Sequence, residues 1–193
     1  AMCVYWDVGR AGTHAGERIA LDSASREVDV GDAIARTRAG TRALWTGRHG
    51  LAFLKIDSVW RGSPAASIAT AGIEGRFDRV VVAPAFPEQG RVTRDGGQWV
   101  VEGARLRCVV PDIAAELRRY GLHAVMEASG SPATGAVVCD ASSSDDVATA
   151  EPLASSCNPV TAVACSGSAL SGLLSASLTP SLLLSPKSVC CAG

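Results

Sequence analysis

Short apolar runs of strand length alternate with helix-spaced segments, and this alternation restricts the fold more than any other feature of the chain. "LAFLKI" (Leu51–Ile56) and "RVVVAPAF" (Arg79–Phe86) are runs of the kind buried in parallel sheets. "VGDAIARTRAGTRAL" (Val30–Leu44) has helical spacing, with Asp32 in the first turn where the positive end of the helix dipole favours an acid. "SPAASIATAGI" (Ser63–Ile73) opens with serine, a good N-cap, and proline, a good first helical residue. "PDIAAELRRYG" (Pro111–Gly121) predicts a helix stopped by its glycine. Further strands are predicted near Arg18–Asp22, His123–Ala128 and Gly135–Ala141, and a capped helix from Ser143 that Pro152 cuts short. Only Gly96–Val110 breaks the rhythm: two strand-like runs around Glu102–Gly103 predict a β-hairpin. The predicted class is α/β, a three-layer, mainly parallel sheet flanked by helices, with a β-hairpin insertion.

Composition narrows the functions. The 193 residues fit one domain, or one domain with a tail, and 47% hydrophobic residues are enough for a packed core. The net charge of −1 and the interleaving of acids and bases leave no basic stripe for a phosphate backbone, so no nucleic-acid partner is expected. The seven cysteines include no C-x-x-C pair and no zinc spacing, so no metal site is expected. Cys108 and Cys139 lie in apolar strand-like runs and are expected to be small buried hydrophobes in a reduced, cytoplasmic protein. His14, His49 and His123 form no visible relay. No secretory signal is read at the N-terminus. The apolar stretch Ala162–Leu184 is interrupted by serines, glycines and Pro180, so no membrane span is expected. Between Pro152 and Gly193 only Lys187 is charged, and "TPSLLLSPKSVCCAG" has no consistent period. The expected organisation is therefore an α/β domain over 1–155 and a Ser/Ala/Leu-rich tail over 156–193, frayed or frame-shifted, in which "TAVACSGSALSGLL" alone suggests a strand, a turn and a helix.

Charge gathers at one strand end. In "LKIDSVWRG" (Leu54–Gly62), Lys55 and Asp57 share parity if the strand ends near Ile56, and Arg61 falls just before the helix start at Ser63–Pro64. A helix N-terminus with an arginine fork and a lysine makes an anion pocket, and Asp57 and Ser58 can hydrogen-bond hydroxyl groups. The ligand class this suits is a small polyhydroxy carboxylate or a phosphate ester. The same spacing also suits an Asp57–Arg61 or Lys55–Asp57 ion pair that only pins the turn, and spacing does not choose between them. "APAFPEQGRVTRDG" (Ala83–Gly96) reads as a rigid loop that brings Arg91 to the same sheet edge. "LDSASREVD" (Leu21–Asp29) puts Ser25 and Arg26 in the loop after another strand. No G-x-x-x-x-G-K-[ST] loop, G-x-G-x-x-G after a strand or G-x-S-x-G elbow is present.

In this order, "LKIDSVWRG", "VVVAPAFPEQGRVTRDGGQWVVEGARL" and "VVCDASSSDD" resemble the four-carbon acid sugar kinase family, specifically its N-terminal sugar-binding domain, over roughly Ile19 to Ala150. The family pattern is K-x-D-S-x-x-R-G followed by a-P-A-f-P-x-x-G-R. The resemblance implies an ATP-dependent kinase for acid sugars such as threonate or erythronate, with ATP and Mg held by a separate C-terminal domain that this chain does not include. It implies that Lys55, Asp57, Ser58, Arg61 and Gly62 line the sugar-acid pocket, with Arg91 nearby and Ser25 and Arg26 matching the family's S-R pair. Arg61 would take the carboxylate and Asp57 a sugar hydroxyl. The family opens on a mid-sheet strand ending in A-D-D-x-T-G-A, which "AMCVYWDVGRAGTHAG" does not carry. That strand and its acidic loop, a source of the catalytic acid, are expected to be missing, leaving an exposed edge and a tendency to self-associate. The chain is expected to bind a sugar acid but to be inactive alone. The alternative expectation is a non-catalytic remnant or partner-binding module that associates with a separate nucleotide-binding chain.

Overall fold

The computed structural model describes residues 3–5, 19–45, 51–127, 134–147, 161–165 and 181–185. In chain order its elements are β1 (Cys3–Tyr5), β2 (Ile19–Asp22), α1 (Val30–Leu44), β3 (Leu51–Lys55), α2 (Pro64–Glu74), β4 (Arg79–Ala83), a short 3-10 turn (Pro87–Gln89), β5 (Arg91–Arg94), β6 (Gly97–Glu102), β7 (Arg105–Val110), α3 (Ile113–Arg119), β8 (Ala124–Met126), β9 (Gly135–Val138), β10 (Thr161–Cys165) and β11 (Ser181–Ser185). An eight-stranded sheet runs β1-β2-β11-β3-β10-β4-β9-β8, and a second sheet runs β5-β6-β7. All the pairings of the large sheet are parallel. The α/β class read from the alternation is the one adopted: a mainly parallel sheet flanked by helices, with an antiparallel insertion.

The sheet is buried on both faces. Val80 and Val82 of β4 join Leu54, Ile56, Ile68, Ile113 and Leu117 in one core. Val81, Phe53 and Val137, of opposite parity, are equally buried. This is why the strands read as continuous apolar runs rather than alternating ones. Helix α1 buries Ala33, Thr37, Gly40, Thr41 and Leu44, a stripe at helical spacing, and starts where the Asp29 side chain accepts from the Asp32 N–H. Glu74 of α2 pairs with Arg38 and Arg42 of α1, fixing the two helices side by side. Every residue of α2 from Pro64 to Ala69 is buried, and most are small, so the helix lies close to its neighbours.

Four expectations are corrected. First, the insertion is a three-stranded sheet rather than one hairpin. "GRVTRDG", read as a rigid loop, contributes β5, and Asp95–Gly96 turns it into β6 with positive φ at both residues (51° and 72°). That is the backbone a two-residue Asp-Gly hairpin turn requires. Second, β11, from the part of the tail expected to be frayed, is a strand between β2 and β3, while β10, the strand suggested in "TAVACSGSALSGLL", lies between β3 and β4. The rest of the tail, including the turn and helix expected after Cys165, lies outside the described residues. A strand paired on both sides needs no hydrophobic alternation, so the missing period was no sign of fraying. Third, an N-terminal strand is present, but β1 pairs with β2 at the sheet edge, and the place between β2 and β3 is filled by β11. Fourth, Cys108 is exposed while Cys139 is buried. Cys108 sits on the outer edge strand β7, where Arg105, Leu106 and Arg107 are also exposed. No helix among the described residues is long and apolar enough to cross a membrane.

Because β11 is hydrogen-bonded to both β2 and β3, a chain shortened to end at residue 180 exposes two strand edges in mid-sheet. The expected outcome is a lower thermal unfolding midpoint by circular dichroism and association in size-exclusion chromatography. A shortened chain that melts like the full one and stays monomeric would contradict the position of β11.

Candidate functional site

The site forms beyond the carboxyl ends of β2 and β3, the position where open α/β sheets bind ligands. At the end of β3 the backbone turns sharply. The Asp57 carbonyl accepts from the Trp60 N–H at 2.9 Å, and its side chain accepts from the Val59 N–H at 2.9 Å. Trp60 is held at φ 59°, a costly conformation for a bulky residue, and Gly62 at φ 79°. A Cβ on Gly62 would lie 2.6 Å from the backbone oxygen of Arg26, so glycine here lets the β2 loop press against the β3 turn.

Asp57 is the centre of the constellation. Its Oδ2 accepts from Arg26 Nη1 at 3.2 Å and from Arg61 Nη2 at 2.8 Å, and Oδ1 from Arg61 Nε at 3.2 Å. The Asp57 side chain is 8% exposed and that of Arg26 13%, but Arg61 is 63% exposed. Burial pushes the Asp57 pKa up, yet the Arg61 hydrogen bonds, the Val59 N–H and the Arg61 charge outweigh it and hold the carboxyl below its ordinary value. The pinning ion pair Asp57–Arg61 therefore exists, while Lys55 has no ion pair among the described residues. Both Asp57 oxygens are engaged within the protein, and Arg61 and Lys55 are the cations left facing outward.

Two clefts share Arg26, Lys55, Ile56, Asp57 and Arg61. One is closed by Ser25, Leu54 and the start of α2 at Ser63, Pro64 and Ser67. The other, the roomier of the two, is closed by Ser58, Phe86 and Gln89. Ser63 stands at the N-cap of α2 without a side-chain capping bond, so its hydroxyl is not spent on the helix.

Of the residues singled out in the sequence, Ser25, Arg26, Lys55, Asp57, Ser58 and Arg61 come together. Gly62 does not line these clefts. It faces a third one with Trp60 and Tyr120, and its part is to admit Arg26. Arg91 does not line them either: it donates to the Gln89 carbonyl and closes the 3-10 turn, because its strand runs back away from the sheet edge. Sequence reasoning missed Ser63, Ser67, Phe86 and Gln89. It also missed Gln98, which is fully buried and donates to the Ser58 carbonyl at 2.8 Å. The helix start and the Pro-rich loop were visible signals for the first four; nothing in the local sequence marks Gln98. Among the described residues no group of three or more His, Cys, Asp or Glu is placed to hold a metal ion.

A family model of a sugar-binding N-terminal domain matches residues 3–129. The chain belongs to the family of sugar-binding N-terminal domains. This agrees with the resemblance to the N-terminal domain of four-carbon acid sugar kinases. The sugar-binding N-terminal domain fold recurs in a Bordetella bronchiseptica protein with a domain of unknown function (DUF1537), solved with bound citrate as a domain-swapped dimer. The TM-score is 0.70 and the identity 23%, covering 88% of this chain and 48% of that one. A Haemophilus influenzae protein, also DUF1537, has TM-score 0.59 at 14% identity, covering 90% of this chain and 54% of that one. The chain thus spans about half the length of these structures. No curated protein matches it.

The Asp57 pKa sets a pH dependence. A folded-state value below the unfolded one, about 3.9, means that the unfolded chain binds the proton more readily. The stability from Asp57 is then fully present above that value and is lost as pH falls through the folded-state pKa. In acid titrations of unfolding, Asp57→Asn is expected to be less stable at neutral pH and to lose less stability below about pH 4 than the parent. Parallel curves for the two proteins would contradict the ion cluster.

Proposed function

We propose that the chain is the acid-sugar-binding part of a four-carbon acid sugar kinase, taking a threonate- or erythronate-type acid in the clefts around Arg26, Lys55, Asp57 and Arg61. The observation that carries this is the convergence of two arginines from two loops on one buried carboxylate, with Lys55 in the same clefts, beside the start of a helix. Arg26 is consumed in the brace. Arg61, two-thirds exposed, and Lys55 are left for an anion, and the α2 N-terminus adds a partial positive charge. Ser25, Ser58, Ser63 and Ser67 offer hydroxyl partners to a polyol. Asp57 acts chiefly as the brace that aims Arg61. Citrate in the Bordetella neighbour, a polycarboxylate, supports an acid ligand, and that protein's domain-swapped dimer supports self-association of this one.

Phosphoryl transfer from ATP with Mg is proposed to need a nucleotide-binding domain or chain in addition, as the resemblance to the acid sugar kinases implies. Alone, the chain is proposed to bind the acid without phosphorylating it. The exposed thiol of Cys108 suits a reducing compartment, so a cytoplasmic location is part of the proposal.

Calorimetric titration with D-threonate, L-threonate and D-erythronate tests the assignment. Saturable binding of one of them is expected, weakened more than about tenfold in Arg61→Ala, as suits loss of a charge-assisted hydrogen bond. No heat from any of the acids with a folded chain would refute it.

A further inference from the structure

We infer that Gln98 is a positioning residue for the acid site, setting the gap between its two walls; this rests on the reading of the clefts as the acid pocket. One wall is the β3 turn that carries Asp57, Ser58 and Arg61. The other is the loop after β4 that carries Phe86 and Gln89. Gln98 lies on β6, in the separate antiparallel sheet, and is 0% exposed. Its Nε2 donates to the Ser58 carbonyl at 2.8 Å and reaches the Pro84 carbonyl at 3.4 Å. One amide group thus bridges both walls from behind.

The orientation of that amide follows from chemistry. Carbonyl oxygens only accept, so the NH2 end must face Ser58 and Pro84. The remaining end, Oε1, accepts from Thr93 Oγ1 at 2.8 Å, and Thr93 is itself fully buried. Thr93 is fixed in turn by a pair of backbone hydrogen bonds with Ala141, at 2.9 and 3.0 Å. The chain of contacts therefore runs from the segment after β9, through β5 and β6, to the turn that aims Arg61. A buried network in which each partner is satisfied holds its members in one arrangement. Among the described residues no other side chain donates to the Ser58 carbonyl, so removing Gln98 takes away its tie to the antiparallel sheet.

Two variants test this. Gln98→Leu keeps the bulk and removes the donor. Gln98→Glu keeps the acceptor for Thr93, but as a carboxylate it faces two carbonyl oxygens with no proton to give. Burial raises the pKa of such a glutamate, and the protonated acid regains one donor. Acid-sugar affinity is measured by calorimetry on folded protein, well below the melting temperature, where a purely stabilising residue would have no effect. Gln98→Leu is expected to bind about tenfold more weakly, as suits a lost buried hydrogen bond. Gln98→Glu is expected to bind weakly at about pH 8 and to recover toward about pH 5, while the parent stays flat over that window because Asp57 and the ligand carboxylate remain ionised.

Folded Gln98→Leu with parental affinity would overturn the inference, as would a folded Gln98→Glu whose affinity does not change with pH. Should Gln98→Leu fail to fold, the pH response of Gln98→Glu decides alone. A parent chain that binds none of the acids overturns the pocket assignment and this inference with it; parental binding with unresponsive variants overturns this inference only.

Discussion

The buried carboxylate of Asp57, shared between Arg26 and Arg61, is the interaction on which the site depends. It ties a loop after β2 to a turn after β3, two segments separated by 31 residues. Removing the carboxylate leaves the mostly buried Arg26 guanidinium only its exposed partner Glu27 and frees Arg61 from the turn. The pair is a source of geometry as much as of stability. By taking the Nε edge of Arg61, Asp57 fixes the plane of the guanidinium and leaves its outer edge toward the cleft.

The sheet makes this brace feasible. β2 and β3 are not neighbours; β11 lies between them, so their carboxyl ends stand two strand spacings apart, and the Arg26–Asp57 bond joins the loops that follow them. Gly62 lets the two loops close on each other, and the start of α2 lines the same cleft. The antiparallel sheet steadies the site from the other side. Its Asp95–Gly96 turn donates two backbone N–H groups to Asp140, and Gln98 reaches the Ser58 carbonyl. A Cβ on Gly96 would meet the Met126 sulfur at 2.4 Å, so this turn also fits closely against the parallel sheet.

Much of this was legible in the sequence. The strand-length run ending in Lys55, the Ser-Pro helix start and the charges between them locate the site, because parity and capping are local physics. Ser25 and Arg26 needed the order of motifs as well, since nothing local says that two loops 31 residues apart meet. The rest was hidden for identifiable reasons. β11 carries no alternation, because a strand paired on both sides in mid-sheet needs none. Arg91 looked like a pocket residue by proximity in sequence, but the β5–β6 hairpin turns it to the Gln89 carbonyl. Gly62 looked like part of the pocket lining, but its role is steric, visible only once the Arg26 backbone is seen beside it. Gln98 lies in an otherwise ordinary strand, and its partners, Ser58 and Pro84, are 40 and 14 residues away.

The central claim is that the outward edge of Arg61, aimed by Asp57, receives a carboxylate beside the start of α2. A crystal structure of the chain with D-erythronate tests it most directly. The account predicts the acid's carboxylate within hydrogen-bonding distance of Arg61 or Lys55, with its hydroxyls toward Ser25, Ser58, Ser63 or Ser67. Erythronate bound instead in the cleft between Trp60 and Tyr120, with Arg61 untouched, would contradict it.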